Sequence, residues 1–390
     1  MLVISVSSFT VVFLYDIFGA YFLSLSSELK INSWILLCGL LYYFVWFFSF
    51  LHLSHFGLLG VLLHSLVMVS FSFFKLLFPL HPFILLYPHA STFLPATEST
   101  FLNLFLLFFL VGVVFVRINL PSKLAFFLFS IIFSTLTTPA DSKVEKKKLK
   151  IAVVQVGLYF KKGGTTKNFF PDLLDFLDRH PGINTIAFSE NNFFSYKSEY
   201  NTNMAEQLLS DINKKKLSNK YHIFLSFSGY KDFNNIITLY QFLETNKINQ
   251  KMTLIPFIEK PGIFNTTTSP DTEFYSVREN YKKSIFNIMG SSVSTYICYD
   301  ALFPEAGHKA GDIVLIQSNY SLLNNGHGFE RLKRIATYLA KFVNGMQSDI
   351  VINIQNTGGT VVLFDGWRVD HEIYEKSKNE VFFVIDTSKL

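Results

Sequence analysis

Three polar side chains stand where short apolar runs begin or end. Glu190 follows the run Thr185–Ser189 (TIAFS), and Cys298 closes Ser294–Cys298 (STYIC). Lys251 opens the apolar segment MTLIPF, and Glu259 closes that segment after Ile258. In α/β domains, reactive groups gather where buried strands give way to loops. Taken singly, each has an ordinary explanation: a solvated loop glutamate, a small buried thiol, a surface lysine. Taken together they form a nucleophilic set. A thiol attacks an acyl carbonyl as the thiolate, so it needs a base or a nearby cation. A carboxylate in a partly apolar pocket serves as that base, and an ammonium group steadies the oxyanion of a tetrahedral intermediate. Glu190, Lys251 and Cys298 therefore cover base, oxyanion stabiliser and nucleophile without a histidine.

The elements that must position them are short and regular. Strand patterns fall at 151–156, 185–189, 223–229, 236–242, 294–298, 312–317, 350–354, 360–364 and 381–385, each rich in β-branched or aromatic residues. Helical spacing of apolar residues runs over 171–179, 204–214 and 329–343. Strands that alternate with helices and then crowd together predict an α/β domain around a mostly buried sheet.

Other chemistries have little support. Two cysteines, Cys38 and Cys298, leave no zinc cluster and argue against an intrachain disulfide. His52, His55, His64, His81 and His89 lie in or beside apolar stretches, with no carboxylate or cysteine to complete a metal site. Gly163–Gly164 lacks the Lys-Ser/Thr of a phosphate loop and reads as a turn. No G-x-S-x-G segment suggests a serine hydrolase. The net charge of +5 is too small and dispersed for nucleic acid. No cofactor is called for.

The 390 residues divide sharply by composition: 50% are hydrophobic, 45 are Phe, and mean hydropathy is +0.32. Residues 1–140 carry only Asp16, Glu28, Lys30, Lys75, Glu98, Arg117 and Lys123 as charges. We expect a transmembrane region of about five helices there, near 2–25, 32–51, 56–79, 101–116 and 123–138. The first lacks a basic flank and a cleavage site, so it reads as an anchor, with Asp16 as an interfacial or bundle contact. A basic linker follows over 141–149, and a catalytic domain over 150–390. The Lys/Arg-free 81–100 loop and the basic 117–123 loop put that domain on the extracytoplasmic side; the basic run 143–150 (KVEKKKLK) opposes this and reads as a solvated linker.

The order and contexts of the three residues resemble the nitrilase (carbon–nitrogen hydrolase) superfamily, and within it the membrane-bound apolipoprotein N-acyltransferases. SENNFF at 189–194 is similar to the family's segment carrying the base. QKMTLIPFIE at 250–259 resembles its Lys-x-x-Leu-x-Pro-Phe-x-Glu motif, and ICYDALFPE at 297–305 its Ile-Cys-Tyr-Glu-x-x-Phe-Pro segment. Fainter echoes are IAVVQV, GYKDFNN and QNTGGTVVLFDGW. The resemblance covers about residues 149–386. It implies a nitrilase-like αββα sandwich preceded by an all-α transmembrane region, with Glu190 as general base, Lys251 as oxyanion stabiliser and Cys298 as nucleophile. Glu259 would orient Lys251, while Tyr299 and Asp300 match the family's Tyr-Glu pair, with Asp one methylene shorter. The implied enzyme is an acyltransferase of the bacterial inner membrane. It would take a fatty acyl chain from phospholipid as a Cys298 thioester and pass it to an amine acceptor, the N-terminal cysteine of a lipoprotein.

Departures from that pattern keep other functions open. The family has about eight spans, one of them after the catalytic domain. Its Asn-Asp-x-Trp-Phe segment reads Asn319-Tyr320-Ser321-Leu322-Leu323 here, and its Arg-Ala-x-Glu helix pattern is missing from 329–343. One alternative is a membrane-tethered amidase or pilin-processing enzyme of a conjugation system. Another is an inactive interaction module. A thioester must be kept from water, and Phe193 and Phe194 are candidates for an apolar lid.

Overall fold

The computed structural model describes residues 47–73, 84, 87–91, 94, 96–97, 99–137, 149–230, 234–255, 259–260, 274–278, 281–304, 310–320 and 329–390. They belong to two compact units, one taking in Met1–Lys143, Leu302–Lys309 and Asn325–Gln347, the other Val144–Ala301, Ala310–Asn324 and Ser348–Leu390.

In the first unit the apolar stretches are helical: α1 (Gly57–Phe73), a single turn α2 (Tyr87–Ala90), α3 (Thr100–Phe115) and α4 (Leu120–Thr137). The expected span 2–25, most of 32–51, and Asp16 and Cys38 with them, lie outside the described residues. One helical run, Phe47–Ser70, is long and apolar enough to cross a membrane by length and composition. It is not a straight rod. Gly57 takes φ +61°, and Ser49 Oγ meets His64 Nδ1 at 2.8 Å although the two are 15 residues apart. In a continuous helix that separation would be about 22 Å. The chain therefore reverses at His52–Gly57, the break the sequence marks between 32–51 and 56–79. α3 has 16 residues, about 24 Å of helix. Gly112 lets α3 approach α1 closely: a Cβ there would lie 2.5 Å from Val61 Cγ1. The same unit holds α8 (Phe329–Asn344, in chain order), whose Val343 carbonyl accepts from Thr100 Oγ1 at 2.7 Å.

Two six-stranded sheets make up the second unit among the described residues. The first sheet contains β1 (Lys150–Val154), β2 (Thr185–Phe188), β3 (His222–Phe227), β4 (Ile237–Phe242), β5 (Thr245–Gln250) and β12 (Phe382–Asp386), ordered β12-β1-β2-β3-β4-β5. The second contains β6 (Phe286–Ile288), β7 (Ser291–Ile297), β8 (Ile313–Ser318), β9 (Ile350–Gln355), β10 (Val361–Phe364) and β11 (Arg368–Val369), ordered β11-β10-β9-β8-β7-β6. The central strands β1–β2–β3 and β7–β8–β9 are parallel. Period-two alternation sorts each strand's side chains between two cores. From β1, Ile151 and Val153 enter the core shared with Ile313, Leu315, Ile352 and Ile354 of the second sheet. Ala152 and Val154 face the other way, into a core with α5 (Val156–Lys161), α6 (Thr166–Arg179) and α7 (Glu199–Lys214). The α/β expectation matches this α–β–β layering. The helix expected over 329–343 is α8, which belongs to the first unit.

Local chemistry explains where the boundaries differ. α6 starts five residues before the apolar periodicity, because Thr165 caps it by accepting from the Asn168 N–H. Ser198 does the same for α7 through Asn201. β5 carries no apolar alternation: its TNKINQ run is a polar sheet edge, exposed over Thr245–Lys247 and buried at Asn249 and Gln250.

Candidate functional site

The proposed base, cation and nucleophile converge at the C-terminal ends of β2, β5 and β7. Lys251 follows β5 directly, at the head of the apolar segment MTLIPF, and it is fully buried. Its Nζ donates to Glu190 Oε1 at 3.0 Å and to Glu259 Oε1 at 2.6 Å. Burial alone would push this ammonium down, but the charges of Glu190 and Glu259 outweigh it and hold the lysine well above its ordinary range. It is a permanent cation. Both Glu259 oxygens are engaged, the second accepting from the Ile255 N–H at 2.7 Å. Burial raises the Glu259 pKa against the lowering pull of Lys251.

Cys298 sits at the turn from β7 into the 3-10 turn Cys298–Leu302, with φ +47°. A non-glycine residue in that region is strained by about 1–2 kcal/mol, and such strain collects at functional sites. The thiol is buried, and burial followed by the Glu190 charge pushes its pKa well up, against the opposing pull of Lys251. One residue links it to Glu190. Asn319 donates its backbone N–H to Glu190 Oε2 at 3.0 Å, and its carbonyl lies 4.0 Å from Cys298 Sγ.

A polar layer behind the site fixes these groups. Asn356 donates to Asn319 Oδ1 at 3.1 Å, and its own Oδ1 accepts from Ser189 Oγ and from the Gly157 N–H at 2.7 Å. Gly157 is required there, since a Cβ would stand 2.5 Å from Asn356 Nδ2. Gln317 of β8 bridges the sheets, donating to the Phe188 carbonyl at 2.7 Å and accepting from Thr238 Oγ1.

Asp300 reaches its partners despite the shorter side chain. Its Oδ1 accepts the backbone N–H groups of Met252 (3.0 Å) and Thr253 (2.8 Å), and its Oδ2 pairs with Lys283. Tyr299 is buried on the same turn. Phe193 and Phe194 are packing residues: Phe193 stacks on Phe160 at 4.2 Å, and Phe194 joins Phe169 and Phe188 in the helix-side core. Sequence reasoning missed Asn356, Lys283 and Tyr275. The Tyr275 N–H donates to the Glu259 carbonyl at 2.9 Å, and burial together with the Glu259 and Glu190 charges raises its phenol pKa. Asn356 lies in the QNTGGTVVLFDGW run, noted only as a fainter echo, and nothing in the runs around Lys283 and Tyr275 marks them as special.

Chemically, the arrangement offers a thiol beside a carboxylate that can accept its proton, and a cation held rigidly by two carboxylates. No protein-family model matches this chain, and no curated protein matches it. Among solved structures it is similar to a CN-hydrolase superfamily protein from Xanthomonas campestris, at 12% identity over 61% of this chain and 90% of that one, with a TM-score of 0.38. It is also similar to a carbon-nitrogen hydrolase from Helicobacter pylori (14%; 62% and 89%; TM-score 0.38) and to an amidase of the nitrilase superfamily from Nesterenkonia (13%; 58% and 87%; TM-score 0.37).

Proposed function

We propose that this chain is a nitrilase-type thiol enzyme that transfers an acyl group through Cys298. The observation that carries the reading is the buried contact of Lys251 with both Glu190 and Glu259 beside the Cys298 thiol. The thiol proton passes to Glu190 as Sγ attacks the donor carbonyl. Two of the three Lys251 N–H donors are held by carboxylates, and the third is offered to the developing oxyanion. The intermediate collapses to a thioester and expels the donor's alcohol, which takes the proton from Glu190. An amine then attacks the thioester and gives a proton to Glu190; the C–S bond breaks, the amide leaves, and the Cys298 thiolate takes that proton back from Glu190.

For the donor we propose a phospholipid ester, and for the acceptor a membrane-associated amine, the N-terminus of a lipoprotein. Both substrates reside in a bacterial inner membrane, and a multi-pass place there is part of the proposal; the apolar run Phe47–Ser70 and the shorter apolar helices Thr100–Phe115 and Leu120–Phe129 fit it. Holding two lipids at one site removes much of the entropic cost of bringing them together. The test is intact mass spectrometry of detergent-purified protein incubated with phospholipid, wild type beside Cys298→Ala. A hydroxylamine-labile fatty-acyl adduct on the wild type alone supports the proposal. A folded wild type that takes no acyl group from phospholipid, yet is acylated by a primary amide, overturns the donor and leaves the amidase.

A further inference from the structure

Arg278 and residues 281–284, ahead of β6, have no part in the acyl-transfer steps. Yet they are tied to both strands that carry them. Ahead of Lys251, Gln250 donates to the Arg278 carbonyl at 2.8 Å and accepts from the Arg278 N–H at 3.1 Å. Its neighbour Asn249 donates to the Ser284 carbonyl at 2.9 Å, accepts from the Ser284 N–H at 2.7 Å, and donates to Thr295 Oγ1 of β7 at 2.8 Å. Beyond Lys251 and Cys298 the same three segments meet again at Asp300, which takes Met252 and Thr253 on one oxygen and Lys283 on the other. Lys283 is buried, with its Nζ 4.4 Å above the Tyr296 ring of β7. Lys251 and Cys298 thus lie between two knots, one before them and one after, both closed by these residues.

We infer that Lys283, acting through Asp300, is a positioning residue that sets the Cys298 turn against the Lys251 turn. Both groups leave their strands into turns, and Cys298 does so in a strained conformation, so neither strand alone fixes their separation. Asp300 is covalently two residues from the thiol and hydrogen-bonded to the two residues after the lysine. Its second oxygen is buried, and the Lys283 ammonium, steadied on an aromatic face, is what holds that carboxylate in place. Losing the cation frees Asp300 to turn, and misplacement by about 1 Å is worth roughly 10²-fold in rate.

The inference rests on Cys298 being the nucleophile and Lys251 the oxyanion stabiliser, not on phospholipid as donor. Its test compares two reactions of the same thiol in the full chain. Acylation by p-nitrophenyl octanoate needs Cys298 and Lys251 aligned, whereas alkylation by iodoacetamide needs only the thiol. Both are followed as mass added at Cys298, with Cys298→Ala as blank. For Lys283→Met we expect acylation to fall roughly 10²-fold while alkylation stays close to wild type. Lys283→Arg should restore most of the acylation, and Lys282→Met, at an exposed neighbour, should change neither. If Lys283→Met does not fold, Asp300→Asn is read the same way, since it keeps an oxygen for both backbone donors. Acylation and alkylation falling in parallel, or acylation unchanged, overturns the positioning role. Failure of the wild type to acylate overturns the reading of the site itself.

Discussion

Replacing Lys251 with methionine isolates the electrostatics of the cluster. The two side chains are similar in length, so Lys251→Met opens little cavity and changes chiefly the charge. The native cluster holds two carboxylates around one ammonium, at 3.0 and 2.6 Å, all of it buried. Without the cation, two unpaired carboxylates remain in the interior. Breaking a buried pair in this way costs about 3–5 kcal/mol, or roughly 6–20 °C in melting temperature for a domain of this size. The pH dependence has a definite sign. Burial already raises the Glu259 pKa, and Lys251 is the main force opposing that rise. In the variant the folded-state pKa moves further above the unfolded value of about 4.3. The native state then binds more protons than the unfolded chain, so stability falls as pH rises through the raised pKa. The deficit should be largest near pH 8 and shrink towards pH 5. Adding Glu259→Gln removes one of the unpaired charges and should recover part of the loss at pH 8. Thermal unfolding followed by intrinsic fluorescence across that range reads all of this. A Lys251→Met protein that melts within about 2 °C of wild type at pH 8, less than 1 kcal/mol, refutes the reasoning. So does one whose deficit grows on acidification.

Glu190→Gln should split two readouts of one thiol. The Glu190 charge is a leading cause of the raised Cys298 pKa, so iodoacetamide alkylation should begin at lower pH in the variant. Acyl-adduct formation should meanwhile fall about 10²–10⁴-fold, because the base is gone; an alkylation profile shifted upward would contradict this. Gln317→Leu strands the Phe188 carbonyl and the Thr238 hydroxyl between the sheets. A denaturant midpoint lowered by the equivalent of about 1–3 kcal/mol is expected, and no loss would mean the bridge is idle. Burial lowers His222, stacked on Phe242 at 3.6 Å, from 6.5 to about 4. Its neutral native form costs stability as pH drops from about 6.5 through that value. His222→Gln should flatten that slope in urea titrations, and an unchanged slope would remove His222 from the acid response.

The strand ends that carry Glu190 and Cys298 are readable in the sequence because each is announced by a β-branched run ending in a polar residue, as TIAFS-Glu190 and STYIC do. Helix starts were less visible. The first turns of α6 and α7 are polar, and only the caps Thr165 and Ser198 mark them. β5, β6 and β11 were hidden for a different reason: one is a polar edge, and the others span three and two residues, too few for any period. Lys283 could not be found from its surroundings, since the YKKS run looks like any solvated patch. Its importance comes from long-range pairing with Asp300, which no local pattern encodes. The reversal at Gly57 was legible as a polar break between apolar stretches, whereas the membership of α8 in the first unit was not.

The place of β12 has a consequence for the order of events when the chain is made. β12 pairs antiparallel with β1, Lys150 opposite Asp386 and Val154 opposite Phe382, and Thr387 closes the ladder by bonding both backbone groups of Leu149. β1 therefore finds β2 within about 35 residues of synthesis but waits for nearly 200 further residues to gain its other neighbour. Until then Ile151 and Val153 lack their ladder neighbours Ile385 and Phe383, which share the intersheet core with them. Closing so long a loop is slow and cannot be hurried by local structure. The nascent unit must carry an unfinished sheet edge until β12 is made, and β1 settles only when that strand docks.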